Sequence, residues 1–219
     1  MFKSNFKKYI ICFLLIGLFF NITNTLYANN LVGKHTVIGI DHFPIHEKWL
    51  RLIKKYDISG VVFISNNYAN PENVKKSIKK IQQLNPRKKF LFCIDQEGGS
   101  VNRIKFDSFR LKSAQYFVDK DDYYVAQNYH KNSELLASVG INVNFAPVVD
   151  VNRQKKNKVI GSRSFSNDPF KVQKYAQIMI DQQKKFNILS VIKHFPGHGQ
   201  TSADSHFKLP IHSDENSFE

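Results

Sequence analysis

The densest chemistry in this sequence lies between Lys193 and His206. The run Lys193-His194-Phe195-Pro196-Gly197-His198-Gly199-Gln200-Thr201-Ser202-Ala203-Asp204-Ser205-His206 puts three histidines, a lysine and an acid into 14 residues. So many titratable groups on a loop that also holds glycine and proline are rarely a core feature and point to a site. Two chemistries fit. His194, His198, Asp204 and His206 are ordinary ligand types for zinc or iron. Alternatively, Asp204 orients the His206 imidazole and raises its basicity, so that His206 gives and takes a proton near neutral pH. The residues alone leave both open.

A second segment, Ile94-Asp95-Gln96-Glu97-Gly98-Gly99-Ser100-Val101-Asn102-Arg103, delivers two acids, two glycines and an arginine directly after an apolar run. The glycines permit a tight turn and close approach of a ligand to backbone. Asp95 and Arg103 can form a polar clamp for the vicinal hydroxyls of a sugar. A simple Asp95–Arg103 salt bridge holding a loop fits equally well. Neither G-x-G-x-x-G nor a P-loop occurs, so nucleotide phosphate binding has no support.

These groups need elements to position them. Short β-like runs occur at Val37–Ile40, Gly60–Ile64, Phe90–Ile94, Asn142–Val151 and Ile188–Ile192. They alternate with amphipathic helical segments near His46–Tyr56, Pro71–Leu84, Asp122–Val139 and Pro169–Phe186. Asn70-Pro71-Glu72 and Asp168-Pro169 read as helix starts, a capping side chain followed by proline in the first turn. Val74, Ile78, Ile81 and Leu84 form one apolar stripe. Alternating βα units imply an α/β fold with a parallel sheet and right-handed crossovers. Asp41, Asn66, Asn67, Asp95, Asp150, Lys193 and His194 then fall at strand C-terminal ends. There they meet at the active face of a barrel or the crevice of an open sheet.

Composition narrows the classes. Of 219 residues 42% are hydrophobic, with 19 Phe, which excludes a disordered chain. Lys3, Lys7 and Lys8 precede an apolar run from Tyr9 to Phe20 and a small residue at Ala28, the layout of a signal peptide over residues 1–28. An uncleaved N-terminal anchor is the minority reading. Cleavage would leave 191 of the 219 residues, and the domain is placed at 31–219. That segment predicts export, periplasmic or extracellular, with membrane association only if it stays attached. Cys12 lies within it and leaves Cys93 alone, so neither an intramolecular disulfide nor a cysteine zinc site is available. Net charge is +14, or +11 without Lys3, Lys7 and Lys8. It favours anionic surroundings, although Lys75-Lys76, Lys79-Lys80 and Lys184-Lys185 read as lysines scattered over helix faces. Without a nucleic-acid motif, no nucleic-acid partner is expected.

The two chemical segments resemble signature motifs of glycoside hydrolase family 3, in its β-N-acetylglucosaminidase (NagZ-like, β-hexosaminidase) branch. Asp95-Gln96-Glu97-Gly98-Gly99 is similar to its D-Q-E-G-G segment, and Lys193 to His206 to its histidine loop. Asn144 to Asp150 and Ile160 to Phe165 follow in the family's order, so the resemblance covers roughly residues 35–212. It implies a TIM (β/α)8 barrel of which this chain carries about five of eight βα units. It implies that Asp95, Arg103, Arg163, Lys193 and His194 bind sugar, that His206 is the general acid/base and that Asp204 is its partner. It implies retaining hydrolysis of a terminal β-linked N-acetylglucosamine on cell-wall saccharide, with no cofactor and no metal. The family's nucleophile is an aspartate on a later strand. Only 13 residues follow His206, and Asp214 among them lacks an apolar strand before it. The nucleophile is therefore expected outside this chain, which reads as C-terminally truncated. A non-catalytic remnant that binds amino sugars or does not fold, and a metal-dependent hydrolase built on the histidine loop, are the alternatives.

Overall fold

The computed structural model describes residues 31–64, 70–154, 157–201 and 209–211. Five strands, β1 (Val37–Ile40), β2 (Gly60–Phe63), β3 (Leu91–Ile94), β4 (Val143–Asn144) and β5 (Leu189–Ser190), form one sheet in the order 1-2-3-4-5. Every neighbouring pair is parallel, with Val37 opposite Gly60, Gly60 opposite Leu91, Cys93 opposite Val143 and Val143 opposite Leu189. Sequential parallel neighbours with a helix in each crossover are the geometry of a (β/α) barrel wall, and five of its units are present.

Four helices make those crossovers: α1 (Glu47–Tyr56), α2 (Pro71–Leu84), α3 (Asp122–Ser138) and α4 (Pro169–Lys185). The predicted starts form as read. The Asn70 side chain accepts from the Glu72 and Asn73 N–H groups, at 2.9 and 3.4 Å. Asp168 accepts from Phe170 N–H at 2.9 Å. In α2 the stripe buries Val74 and Ile81 fully and Ile78 and Leu84 in part. One apolar cluster joins β1–β3 to α1 and α2 through Ile40, Ile53, Val61, Phe63, Ile81 and Ile94. A second joins α3 and α4 through Val125, Tyr129, Val172, Tyr175 and Met179.

β2 and β3 are one residue shorter than the apolar runs predict, and β4 and β5 are shorter by more. The fourth run, Asn142–Val151, yields a ladder of two residues because Pro147 has no N–H to donate. Pairing resumes beyond it: Lys193 N–H donates to Pro147 O at 3.2 Å and Val149 N–H to Lys193 O at 2.7 Å. Side chains splice the gap on the other edge. Asn144 Oδ1 accepts from Gln96 N–H at 2.9 Å, and its Nδ2 donates to Gln96 O at 3.2 Å. Asn142 binds Phe92 N–H and Phe90 O in the same way, both at 2.8 Å. The strand end carrying Asp95 is thereby fixed to the one leading to Asp150.

Candidate functional site

The site forms where β3, the β4 extension and β5 release the chain. Directly after β3, Gly98 adopts φ +102° and Gly99 φ +59°, backbone that favours glycine. A Cβ on Gly98 would lie 2.2 Å from the Lys112 carbonyl oxygen. The turn folds back on itself: Glu97 N–H donates to Val101 O at 3.0 Å, and Gln96 Oε1 accepts from Arg103 N–H at 2.7 Å. The local result is that Asp95 remains half-buried at the strand end while Glu97 points inward, its side chain 4% exposed.

Glu97 is the centre of a charge cluster. Its carboxylate takes both Arg163 Nε and Nη2, at 2.7 and 2.8 Å, a bidentate pair. Lys193 Nζ lies 2.5 Å from Glu97 and 2.5 Å from Asp95. Burial works against ionisation of Glu97, but Arg163 and Lys193 outweigh it and hold the carboxyl below the usual range. Arg163 arrives on a 3₁₀ turn, Gly161–Arg163, and also donates to Val159 O at 3.2 Å.

Asp150 is the second centre, with a fully buried side chain. One oxygen faces His194 Nδ1 at 2.6 Å and the His194 N–H at 3.2 Å. The other accepts from the His198 N–H and, at 3.1 Å, the Gly199 N–H. Desolvation again opposes the charge and these donors again win, so the carboxyl sits below its ordinary value. His194 Nε2 lies 3.4 Å from Arg163 Nη2 and joins the two centres. A cleft of about 460 Å³ opens over Asp150, Lys193, His194 and the 195–201 loop. The arrangement offers cations and a carboxylate pre-set at a partly open surface, suited to hydroxyl and amide groups of a polar ligand.

Four of the sequence-predicted binding residues, Asp95, Arg163, Lys193 and His194, therefore converge. Arg103 stands apart: among the described residues no ion pair joins it to Asp95, whose partner is Lys193, and its Nε is buried without a hydrogen-bond partner. Asp41 pairs with the adjacent His42 at 2.6 Å, both side chains exposed, and among the described residues no ion pair joins it to the cluster. Asp204, His206, Asn66, Asn67 and Asp214 lie outside the described residues, as does the 1–28 segment. Of the four metal ligands considered, His194 and His198 are described. Their rings are 6.3 Å apart, with Asp150 on one and Thr201 Oγ1 3.1 Å from Nδ1 of the other. Glu97 and Asp150 are the functional residues the sequence reading left without a role. A buried acid beside two glycines was the available signal for the first. For the second it was a carboxylate just after the apolar Val148-Val149 pair.

The glycosyl hydrolase family 3 N-terminal domain matches residues 33–219. The chain belongs to glycosyl hydrolase family 3. Beta-hexosaminidase A of Pseudoalteromonas piscicida is 37% identical over 168 residues, covering 73% of this chain and 28% of that protein. A family 3 β-N-acetylglucosaminidase from Paenibacillus superposes with a TM-score of 0.76 at 29% identity, over 83% of this chain and 35% of that one. NagZ from Neisseria gonorrhoeae, solved with N-trifluoroacetyl-D-glucosamine, gives 0.69 at 31% identity, over 80% and 53%. The chain thus spans between about a quarter and about half the length of these family 3 relatives. Among its described residues no helix is long and apolar enough to cross a membrane.

Proposed function

We propose that this family 3 domain carries the amino-sugar-binding half of a β-N-acetylhexosaminidase acting on terminal β-linked N-acetylglucosamine of cell-wall saccharide. The observation that carries the reading is the convergence of Asp95, Lys193, Arg163 and His194, from the connectors after three strands, around two buried carboxylates, beside a cleft that Asp150, Lys193 and His194 line. Asp95 and Lys193 would hold sugar hydroxyls, and Arg163 and His194 a neighbouring hydroxyl or the amide. Glu97 and Asp150 hold those groups oriented in place, so their geometry costs little on binding. His206, with Asp204 beside it in sequence, is the proposed acid/base, protonating the leaving oxygen and later activating water. Retention of configuration would then require a carboxylate nucleophile on a later strand. The signal-like N-terminus supports export to the compartment that holds this substrate.

Thermal unfolding of the 219-residue chain with and without N-acetylglucosamine tests the binding half. A cooperative transition that rises with the sugar, and no longer rises in Lys193→Ala, is the expected result. A shift with glucose and none with N-acetylglucosamine would remove the reading. The chemical half is tested on a protein in which the later barrel strands are supplied, with a chromogenic β-N-acetylglucosaminide, where His206→Ala should cost on the order of 10²–10⁴ in rate.

A further inference from the structure

The sheet sorts charge by edge. All five strands are parallel, so the connectors that enter them lie on one face, opposite the cleft. The last turn of α1 ends in Lys54 and Lys55, and the α2–β3 connector holds Arg87, Lys88 and Lys89. The last turn of α4 ends in Lys184 and Lys185, and Lys34 precedes β1. Against these eight the same connectors carry one acid, Asp57, and Lys88 already neutralises it at 2.6 Å. The other seven are exposed and form no ion pair among the described residues. The cleft face is mixed in sign, with Asp95, Glu97 and Asp150 set against Lys193 and Arg163. Eight basic side chains thus share the strand-entry face with one acid, while Lys75, Lys76, Lys79 and Lys80 lie along α2.

Helix dipoles account for Lys54, Lys55, Lys184 and Lys185 but not for Lys34, Arg87 or Lys89. Nor do they account for the apolar groups on the same face. The helical turn at 31–34 leaves Leu31 47% and Val32 69% exposed, and its Gly33 packs on the backbone of Tyr56, whose side chain is also exposed. That turn is held rigidly: Ser59 N–H donates to Gly33 O at 3.1 Å and Ser59 Oγ to Lys34 O. Basic side chains around protruding aliphatic and tyrosine groups are the composition of a surface that sits at a lipid headgroup layer. Residues 1–30, with Lys3, Lys7, Lys8 and the apolar run Tyr9–Phe20, join the domain at this same face.

We infer that the strand-entry face of this domain docks on anionic phospholipid headgroups, through Lys34, Lys54, Lys55, Arg87 and Lys89 around an apolar contact made by Leu31 and Val32. Docked this way, the cleft faces away from the bilayer toward polymer. Each basic group at an anionic surface adds about fivefold to the partition coefficient, and added salt removes the gain.

The test is vesicle flotation of the full 219-residue chain on phosphatidylcholine alone and with phosphatidylglycerol. The apolar N-terminal run contributes to both vesicle types, so the quantity read is the anionic-over-neutral ratio at low salt. Lys54→Glu, Lys55→Glu, Arg87→Glu and Lys89→Glu together should lower that ratio by at least about 10³-fold. The same charge change on the cleft face, Lys105→Glu, Lys112→Glu, Lys120→Glu and Arg153→Glu, should leave it within about threefold. Should the glutamate set fail to fold, glutamine at the same four positions reads the same contrast. Equal losses from both sets would overturn the inference, showing net charge alone at work. So would an unchanged ratio in the first set, or retention on a soluble polyphosphate with no preference for anionic vesicles.

Discussion

Replacing Glu97 by glutamine removes one negative charge and almost no volume. Its carboxylate holds Arg163 through two bonds and Lys193 through one, at 2.7, 2.8 and 2.5 Å, with all three side chains largely shielded from water. Glutamine keeps one acceptor oxygen and presents an N–H₂ to a cation where an acceptor stood. Removing one partner of a buried charge pair costs roughly 3–5 kcal/mol, and the retained oxygen offsets a hydrogen bond, so the expected loss is about 2–4 kcal/mol. For a domain of this size that is a fall in Tm of roughly 5–15 °C. Urea unfolding followed by the fluorescence of Trp49, the single tryptophan, measures it. The pH dependence is a second signature. A carboxyl held below its ordinary 4.5 stabilises the fold fully above that value and progressively less as pH falls through the lowered one. The gap between wild type and Glu97→Gln should therefore be full at neutral pH and close below about 4.5. Arg163→Met added to Glu97→Gln should cost less than the sum of the two changes. A loss under about 0.5 kcal/mol, the level of an ordinary surface change, would refute the account. A gap that persists undiminished in acid would refute it as well.

Asp150→Asn should open the 195–201 loop, because one buried carboxylate bridges His194 to the His198 and Gly199 N–H groups. N-acetylglucosamine binding by calorimetry should weaken by at least about tenfold, as for other lost charge-assisted contacts. Gly98→Ala should destabilise the fold by more than about 2 kcal/mol, since it combines a positive φ with a backbone clash at 2.2 Å. Denaturant titration reads this change directly. The Cys93 thiol is buried and its pKa is pushed up to about 11, so alkylation at Cys93, followed by peptide mass, should be absent at pH 8 until the protein unfolds.

Local chemistry made the framework readable. Asn70 and Asp168 cap their helices because a side-chain oxygen two or three residues ahead of free N–H groups needs no tertiary help. The apolar stripe of α2 buries for a similarly local reason. Asp95, Lys193 and His194 could be placed at strand ends because βα alternation fixes which end faces the site. What bonds to what was not readable. Glu97 and Arg163 are 66 positions apart, and Asp95 and Lys193 are 98 apart. Only the strand order chooses between Arg103 and Lys193 as the partner of Asp95. Pro147 was visible as a ladder breaker, but the recovery of pairing at Val148 and Lys193 depends on how β5 lies alongside.

The contact between Asp150 and His194 also decides what kind of group the imidazole offers. An ionised carboxylate 2.6 Å from Nδ1 can only accept, so the proton must sit on Nδ1. In the neutral ring the lone pair is thereby left on Nε2, the nitrogen that faces Arg163 and the cleft. A ligand group that reaches Nε2 must share or displace the 3.4 Å Arg163 contact, and it must itself bring a hydrogen. A hydroxyl satisfies that demand; an ether oxygen, a fluorine or a methoxy group at the same carbon does not. On the proposed amino-sugar reading, the tautomer set by one buried carboxylate requires a free hydroxyl on the sugar carbon that faces Nε2. A panel of singly deoxygenated and O-methylated sugars would locate that position.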